Sequence, residues 1–193
     1  FGSLPLADIR TVKSHFGVTV NDVVLALVSS SLRNYLLLQD QLPDESLRTF
    51  IAVSLRTDQD DRFSNKVTSR AVTLATAVAD PVQRLRAIAG ETSLVKKEAR
   101  GGGKGVMEII QMLPPLLVNA VALMAPADQV ARVMGANLMV SSIRGSAERM
   151  YMAGARMRSM YPMSIINPGA GINFTCISYA DSFDFGVTID PAM

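Results

Sequence analysis

The sequence YPMSIINPGAGINFTCISYADSFDFGVTID, residues 161–190, carries the clearest β pattern of the chain. Its last third alternates apolar residues with polar residues or glycine, and this period of two places one set of side chains on a buried face. The other set then lies on an exposed face or lines a channel. The apolar set is Phe183, Phe185, Val187 and Ile189, and the set between them is Asp184, Gly186, Thr188 and Asp190. We therefore predict a half-buried strand here.

The same stretch predicts a partner strand and a turn. Residues 172–177 alternate in the same way, and Ala, Asp and Ser at residues 180–182 favour a turn, so the two runs are expected to form a β-hairpin. Upstream, NPGAG at residues 167–171 gives the backbone unusual freedom. This run fits either a plain loop or a close approach of the backbone to a ligand.

The composition is that of one apolar domain. The chain has 193 residues, enough for a single domain that buries about 70% of its unfolded surface. Hydrophobic residues make up 49% and charged residues 19%, with a mean hydropathy of +0.25. We expect the surplus apolar surface to meet a partner domain, lipid or a lipidic ligand. The net charge of +2, without a basic stretch interleaved with aromatic residues, argues against nucleic acid as a partner.

Two helices are predicted at the start of the chain. Residues 4–16 place apolar side chains three or four apart, with Pro5 in the first turn and Gly17 as terminator. A second helix begins at Thr19, which forms a capping box with Asp22. Its apolar stripe predicts a central, buried helix. The stripe consists of Val20, Val23, Val24, Leu27, Val28, Leu32, Tyr35 and Leu36.

Strands and one long helix follow. Asp80 as N-cap and Pro81 at the first helical position predict a helix that ends at Gly101. Strands are predicted at residues 48–56, 67–76 and 137–143, with a Met-rich strand or irregular connection at 149–160. Helices, strands, a long helix, an apolar insertion and closing strands together predict an α+β fold with a mixed sheet.

The apolar insertion is placed at about residues 106–134 from its lack of charge. No charged residue occurs from position 109 to 127, a length close to the roughly 20 residues that span a bilayer. Pro114 and Pro115 interrupt this run, so two short apolar helices are expected rather than a transmembrane helix. The basic residues just upstream are Lys96, Lys97, Arg100 and Lys104. This basic flank beside apolar helices would suit an anionic membrane surface. The alternative is that the apolar helices pack inside the protein or against a second domain.

Few side chains suggest chemistry of their own. His15 is the sole imidazole, but it lies at the predicted end of a helix, where a cation commonly has a structural role. The run GGGKG at residues 101–105 lacks the spacing and the Ser or Thr of a phosphate loop and is interpreted as a flexible connection. One Cys and one His argue against a zinc site. We therefore predict no catalytic residue and no metal site within this chain.

Cys176 and the first residues of the chain bear on the redox compartment and on whether the sequence belongs to a longer protein. Cys176 rules out an internal disulfide and is expected to be a buried small hydrophobe in a reducing compartment. The sequence opens without Met and directly on a helical pattern, so we expect it to be part of a longer protein.

Several segments together resemble one family. The segment from Pro5 to Tyr35, with most of the run GVTVNDVVLALVSSSLRNYL at residues 17–36, resembles the start of the C-terminal domain of bacterial wax ester synthase/diacylglycerol acyltransferases, including its Asn21-Asp22 pair. Further similar segments, in the family's order, are AVSLR at 52–56, Asp80-Pro81 with Arg84-Leu85 and Ile88, YMAG at 151–154, and residues 171–190. One departure is SSIRGS at residues 141–146, where many relatives have an SNVPGP-like turn; only the glycine and an apolar residue remain.

The resemblance implies that residues 1–193 form one half of a chloramphenicol acetyltransferase-like fold, in which two related halves enclose a substrate channel. The family's HHxxxDG motif belongs to the preceding N-terminal domain, which is the expected partner, and is absent here. Its second His would take the proton from an acceptor hydroxyl as that hydroxyl attacks an acyl-CoA thioester. Acyl-CoA is then a substrate, the lipid acceptor is the other ligand, and no cofactor is expected.

The resemblance also suggests site residues. Asn21 and Asp22 would support the base from across the cleft, although the Thr19 cap offers a purely structural explanation for Asp22. Asp184 is expected to fix the hairpin through a charge pair. The residues predicted to line the channel are Ser164, Gly169, Gly171 and Asn173.

Three functional hypotheses remain open at this point. The leading hypothesis is the C-terminal half of an O-acyltransferase that moves a long-chain acyl group from acyl-CoA to diacylglycerol or a fatty alcohol, inactive alone. We expect a cytoplasmic protein, with peripheral contact to the membrane or lipid droplets as an option. The alternative is a non-catalytic lipid-binding or membrane-associating domain derived from such an enzyme. A third hypothesis, an oligomeric acetyltransferase, requires His15 to be essential.

Overall fold

The computed structural model describes residues 1–55, 67–102, 114, 135–166 and 170–191. Its helices are α1 (Leu6–Phe16), α2 (Val20–Leu38) and α3 (Pro81–Arg100). Its strands are β1 (Gly2–Pro5), β2 (Arg48–Ser54), β3 (Val67–Thr73), β4 (Leu138–Arg144), β5 (Tyr151–Met152), β6 (Ala155–Arg156), β7 (Ile172–Tyr179) and β8 (Ser182–Ile189). The predicted insertion lies outside the described residues except for Pro114, and so do residues 56–66 and Gly169.

The six-stranded sheet has the order β1-β8-β7-β4-β2-β3 and mixes both strand directions. The predicted hairpin is confirmed as β7 and β8, which pair antiparallel from Ile172 opposite Ile189 to Tyr179 opposite Ser182. Strand β4 runs parallel to both β7 and β2. The edge strands β1 and β3 are antiparallel to their neighbours. This confirms the α+β class with a mixed sheet.

Strand β1 corrects the prediction of a helix over residues 4–16. Residues 2–5 pair with β8, with Ser3 opposite Asp184, and α1 begins only at Leu6. Pro5 is therefore the N-cap residue rather than part of the first turn. The short strand covers the outer edge of β8, whose backbone N–H and C=O groups would otherwise lack partners. A local helical pattern gives no sign of this pairing, because the partner strand lies at the other end of the chain.

All three helices pack on one face of the sheet. Their buried side chains include Ile9, Leu25 and Ile88, which share one cluster with Ile51 and Val140 from the strands. Helix α2 is central, as predicted, but its buried stripe ends at Leu32. Tyr35 and Leu38 are 59% and 84% exposed because no described element covers the last turn.

Local capping chemistry sets the helix boundaries as predicted. Helix α2 begins with a capping box between Thr19 and Asp22. In α3, the carboxylate of Asp80 accepts a hydrogen bond from the backbone N–H of Gln83 at 2.7 Å, Pro81 occupies the first turn, and Gly101 follows the last.

The second face of the sheet is covered at one end by residues 157–166. The backbone N–H of Met160 donates to Asp184 Oδ2 at 2.7 Å, and the side-chain amide of Asn173 donates to the carbonyl of Ile165 at 2.8 Å. The prediction of a half-buried β8 was therefore wrong at its centre, where Asp184 is fully buried. Ile189, predicted to be buried, lies at the strand end and is 56% exposed.

Residues 149–160, predicted as a strand or an irregular connection, form a short hairpin and the start of the covering segment. Strands β5 and β6 pair antiparallel. The buried Tyr179 holds both ends of this hairpin, since its hydroxyl accepts from Met150 N and donates to Met157 O, each at 2.9 Å. This residue anchors the connection to the sheet.

Within the described residues, no single helix combines the length and the apolar run needed to cross a bilayer; α1 and α2 together meet that test, with a bend of 105° between them.

Cys176 should make the stability of the fold fall at alkaline pH. It is buried in the core, and burial raises the pKa of its thiol from 9.0 to about 11. Between these values the unfolded chain loses a proton that the folded chain keeps, so stability is full below pH 9 and falls toward pH 11 by at most about 1.4 kcal/mol per pH unit. Denaturant unfolding at several pH values should show a shallower decline in Cys176→Ala than in wild type. Equal slopes would contradict this assignment.

Candidate functional site

The site predicted at Asn21 and Asp22 is built on the first turn of α2. The hydroxyl of Thr19 accepts from Asp22 N at 3.3 Å, while Asp22 Oδ2 accepts from Thr19 N at 2.8 Å and from the Thr19 hydroxyl at 2.7 Å. An aspartate thus fills the place usually held by Glu or Gln in a capping box. The structural explanation for Asp22 is therefore correct as far as the helix start is concerned.

Asp22 also joins α2 to α3. Its Oδ1 accepts a hydrogen bond from the Thr92 hydroxyl at 2.6 Å and lies 3.8 Å from Lys96 Nζ. The residue is only 3% exposed, so its charge requires such donors and a nearby cation. The sequence analysis did not identify Thr92, for which the available signal was a threonine at a buried position of α3, and it named Lys96 only as part of a basic flank, not as a partner of Asp22.

The side chain of Asn21, unlike that of Asp22, forms no hydrogen bond within the described residues. It is half-buried in the first turn of α2, and its carboxamide has no hydrogen-bond partner among residues 1–55, 67–102, 114, 135–166 and 170–191. A carboxamide can both donate and accept hydrogen bonds. The fold therefore uses Asp22 and leaves Asn21 available for another partner.

Two of the clefts that border α2 are lined entirely by described residues. A polar cleft of about 360 Å³ lies between its N-terminus and α3, and is lined by Thr19, Asp22, Ala89, Thr92, Ser93, Lys96, Lys97 and Arg100. A mainly apolar cleft of about 210 Å³ is lined by Val12, Phe16, Val23, Ala26, Leu27, Ser30, Pro81, Val82 and Leu85. The first is suited to a charged ligand and the second to an apolar one.

The predicted channel residues that the structure describes, Ser164, Gly171 and Asn173, lie elsewhere, near the covering segment. Asn173 is buried, donates to the carbonyl of Ile165 and accepts from the Thr175 hydroxyl at 3.0 Å. Ser164 is half-buried on the same segment, and the carbonyl of Gly171 accepts from Asp190 N at 2.9 Å. Neither of the two clefts is lined by any of them. The structure brings Ser164 and Asn173 together, and their role in a channel stays a prediction.

Asp184 is held differently from the expected charge pair. Its Oδ1 accepts from the hydroxyls of Ser3 at 2.6 Å and Ser182 at 2.8 Å, and its Oδ2 accepts from Met160 N. No ion pair to Asp184 occurs in the part of the chain that the structure describes. Three neutral donors satisfy this buried carboxylate, and they tie β1, β8 and the covering segment together.

The segment SSIRGS at residues 141–146, compared above with a turn of the family, instead forms the end of β4 up to Arg144, and the glycine that follows is required for a steric reason. A Cβ atom at Gly145 would lie 2.2 Å from the carbonyl oxygen of Ser178. Gly145 N donates to the Ser178 hydroxyl at 3.2 Å across the same contact. The end of β4 therefore approaches β7 more closely than a larger residue allows.

His15 occupies the structural position that its sequence context predicts. It lies in the last turn of α1 and contacts Phe16 edge-on, with ring centroids 4.7 Å apart. Among the described residues no carboxylate hydrogen-bonds to its ring. The geometry thus gives no support to an acetyltransferase that uses His15.

Comparisons with known proteins agree with this fold along nearly the whole chain. The family model "WS/DGAT C-terminal domain" matches residues 63–193. A Mycobacterium tuberculosis protein named "putative diacylglycerol O-acyltransferase" is 38% identical over 189 residues, and the match covers 96% of this chain and 41% of that protein. A second M. tuberculosis protein of the same name is 33% identical over 192 residues, covering 94% and 37%.

A solved structure shows the same architecture. The wax ester synthase/diacylglycerol acyltransferase from Marinobacter aquaeolei VT8 superimposes with a TM-score of 0.73 at 29% identity. The match covers 96% of this chain and 41% of that one, so the chain spans well under half the length of the relatives it matches. The matched residues, the mixed sheet and the identities together show that this chain belongs to the WS/DGAT C-terminal domain family.

Proposed function

We propose that the chain is the C-terminal half of an O-acyltransferase that moves a long-chain acyl group from acyl-CoA to diacylglycerol or a fatty alcohol. The observation that carries this proposal is the similarity over 96% of the chain to a wax ester synthase/diacylglycerol acyltransferase, at a TM-score of 0.73. Because that match covers only 41% of the relative, the remaining part of a longer protein would supply the rest of the active site.

The proposed reaction needs a base that this chain does not offer. An acceptor hydroxyl is a weak nucleophile at neutral pH, so a base must take its proton as it attacks the thioester carbonyl. The C–S bond then breaks and CoA leaves as the thiol. The only His of the chain, His15, is exposed at the end of α1. We assign the base to a histidine of the partner half, in the HHxxxDG motif.

In this proposal α2 supports that base from the opposite wall. Asp22 fixes the first turn of α2 through Thr19 and Thr92, and this fixes the backbone from which the Asn21 side chain extends. A carboxamide that hydrogen-bonds to the imidazole would set its orientation without exchanging a proton. Ser164, Gly171 and Asn173 stay our candidates for the lining of the substrate channel, together with Gly169.

We place the proposed protein in the cytoplasm. Because lipid acceptors partition into membranes, we also place it in contact with the surface of a membrane or lipid droplet.

The proposed function is tested by the release of free CoA from a long-chain acyl-CoA by the full-length protein, measured with a thiol reagent. We expect release that depends on added diacylglycerol or fatty alcohol. No release with either acceptor would contradict the proposed function.

Asn21→Ala should lower kcat/KM of the full-length protein by roughly 10²-fold, because an unsupported base loses its orientation. The melting temperature should stay unchanged, since the amide has no partner in the described part of the fold. The matched control is Asn34→Ala, an exposed asparagine on the same helix. Turnover of Asn21→Ala equal to that of Asn34→Ala would contradict the supporting role that we propose for Asn21.

A further inference from the structure

We propose that the polar cleft between the N-terminus of α2 and the second half of α3 binds a phosphate group of an anionic ligand. The cleft has a volume of about 360 Å³. Its lining combines two cations, Lys97 and Arg100, with Lys96 beside Asp22 and the hydroxyl of Ser93. These are the donor types that recognise phosphate, with arginine as a planar fork and lysine as a point charge.

The floor of the cleft is rigid and its charge is already balanced. Asp22 is the carboxylate in the lining, and its oxygens accept from Thr19 and Thr92. Lys96 lies 3.8 Å from Asp22 and compensates its charge. An incoming anion therefore meets a neutral floor rather than an unpaired carboxylate.

The rim of the cleft carries two cations. Lys97 and Arg100 are exposed, and neither forms an ion pair or a side-chain hydrogen bond with another described residue. The first turn of α2 borders the same space and adds the positive end of its helix dipole. Helices α2 and α3 therefore both place positive charge at one concave surface.

A competing explanation is that Lys97 and Arg100 only neutralise the C-terminus of α3. Basic residues in the last turn of a helix commonly have this role. Neutralising the end of the helix requires neither a cleft nor a hydroxyl group beside the cations. A binding measurement separates the two explanations, because the helix-dipole role predicts no ligand.

The phosphate could come from the nucleotide part of CoA or from the headgroup of an anionic lipid. The first source rests on the proposed function, and the second does not. We therefore use two probes on the full-length protein: free CoA in calorimetric titration, and flotation with phosphatidylcholine vesicles that contain or lack phosphatidic acid. Neither probe requires turnover, so the result is independent of whether the protein transfers an acyl group.

The double variant Lys97→Gln/Arg100→Gln should weaken binding of at least one probe by tenfold or more, and that probe identifies the source. Arg86→Gln is the matched control, since Arg86 is exposed on α3 and outside the cleft. Unchanged melting of the double variant would show that it folds. Binding of both probes as tight as in wild type, or weakened equally by Arg86→Gln, would overturn the proposal.

Discussion

Asp22→Ala should lower the free energy of unfolding by about 3–4 kcal/mol, the largest effect we expect from one substitution in this chain. The change leaves the Thr19 N–H, the Thr92 hydroxyl and the charge of Lys96 without their common acceptor. It removes the helix cap and the link between α2 and α3 at the same time. Denaturant unfolding measures the difference directly.

Two variants isolate the cause of that loss. Asp8 is an exposed acid in the first turn of α1, so Asp8→Ala removes only a helix-dipole interaction of about 0.3–1 kcal/mol. Asp22→Asn keeps one acceptor oxygen and should fall between the two alanine variants. If Asp22→Ala were as mild as Asp8→Ala, the described network would not hold α2 and α3 together.

Gly186→Ala should destabilise the fold by about 1–3 kcal/mol, because its added methyl group has no room. A Cβ atom at this position would lie 1.9 Å from the carbonyl oxygen of Pro162, in the segment that covers the second face of β8. The segment must move away, and its hydrogen bonds to Asp184 and Asn173 stretch with it. Thermal unfolding should show a melting temperature lower by about 2–4 °C for each kcal/mol.

Gly90→Ala is the matched control for that experiment. Gly90 lies inside α3, and a Cβ atom there meets nothing within 4 Å. Alanine is the better helix former by about 0.8–1 kcal/mol, so this variant should melt at a higher temperature than wild type. Opposite shifts from the same chemical change would show that contact with Pro162, rather than loss of glycine itself, decides the outcome. A Gly186→Ala protein as stable as wild type would contradict the tight packing of the covering segment.

Features decided by neighbouring residues were predictable from the sequence. The capping box at Thr19 and Asp22, the start of α3 at Pro81 and the β7–β8 hairpin all depend on residues within a few positions of one another. The alternation in β8 also marked its core face correctly at Phe183.

Features decided by distant pairing were not predictable. Strand β1 depends on an edge of β8 that lies about 180 residues away in the chain, while its own sequence fits a helix start. The burial of Asp184 follows from the same cause, since β1 and the covering segment bring its donors. The alternation of apolar and polar residues distinguishes the two faces of one strand, but it does not show which other residues cover each face.

The candidate site, like the fold, was predictable from the sequence only in part. The family resemblance drew attention to Asn21 and Asp22 as a pair, but the sequence could not separate their roles. Contacts with Thr92 and Lys96 on α3 assign Asp22 to the fold, whereas Asn21 has no side-chain hydrogen bond within the described part of the chain. The sequence marked Lys97 and Arg100 as part of a basic flank, but only the structure shows that they line a cleft with the start of α2.

The most direct test of the central claim is to count both products of the proposed reaction. The full-length protein is incubated with a long-chain acyl-CoA and either diacylglycerol or a fatty alcohol, and the free CoA and the new ester are quantified by mass spectrometry. We predict equal amounts of CoA and of triacylglycerol or wax ester, and no ester when the acceptor is omitted. Binding of the protein to lipid vesicles without any ester formed would contradict the account and indicate a lipid-binding domain instead.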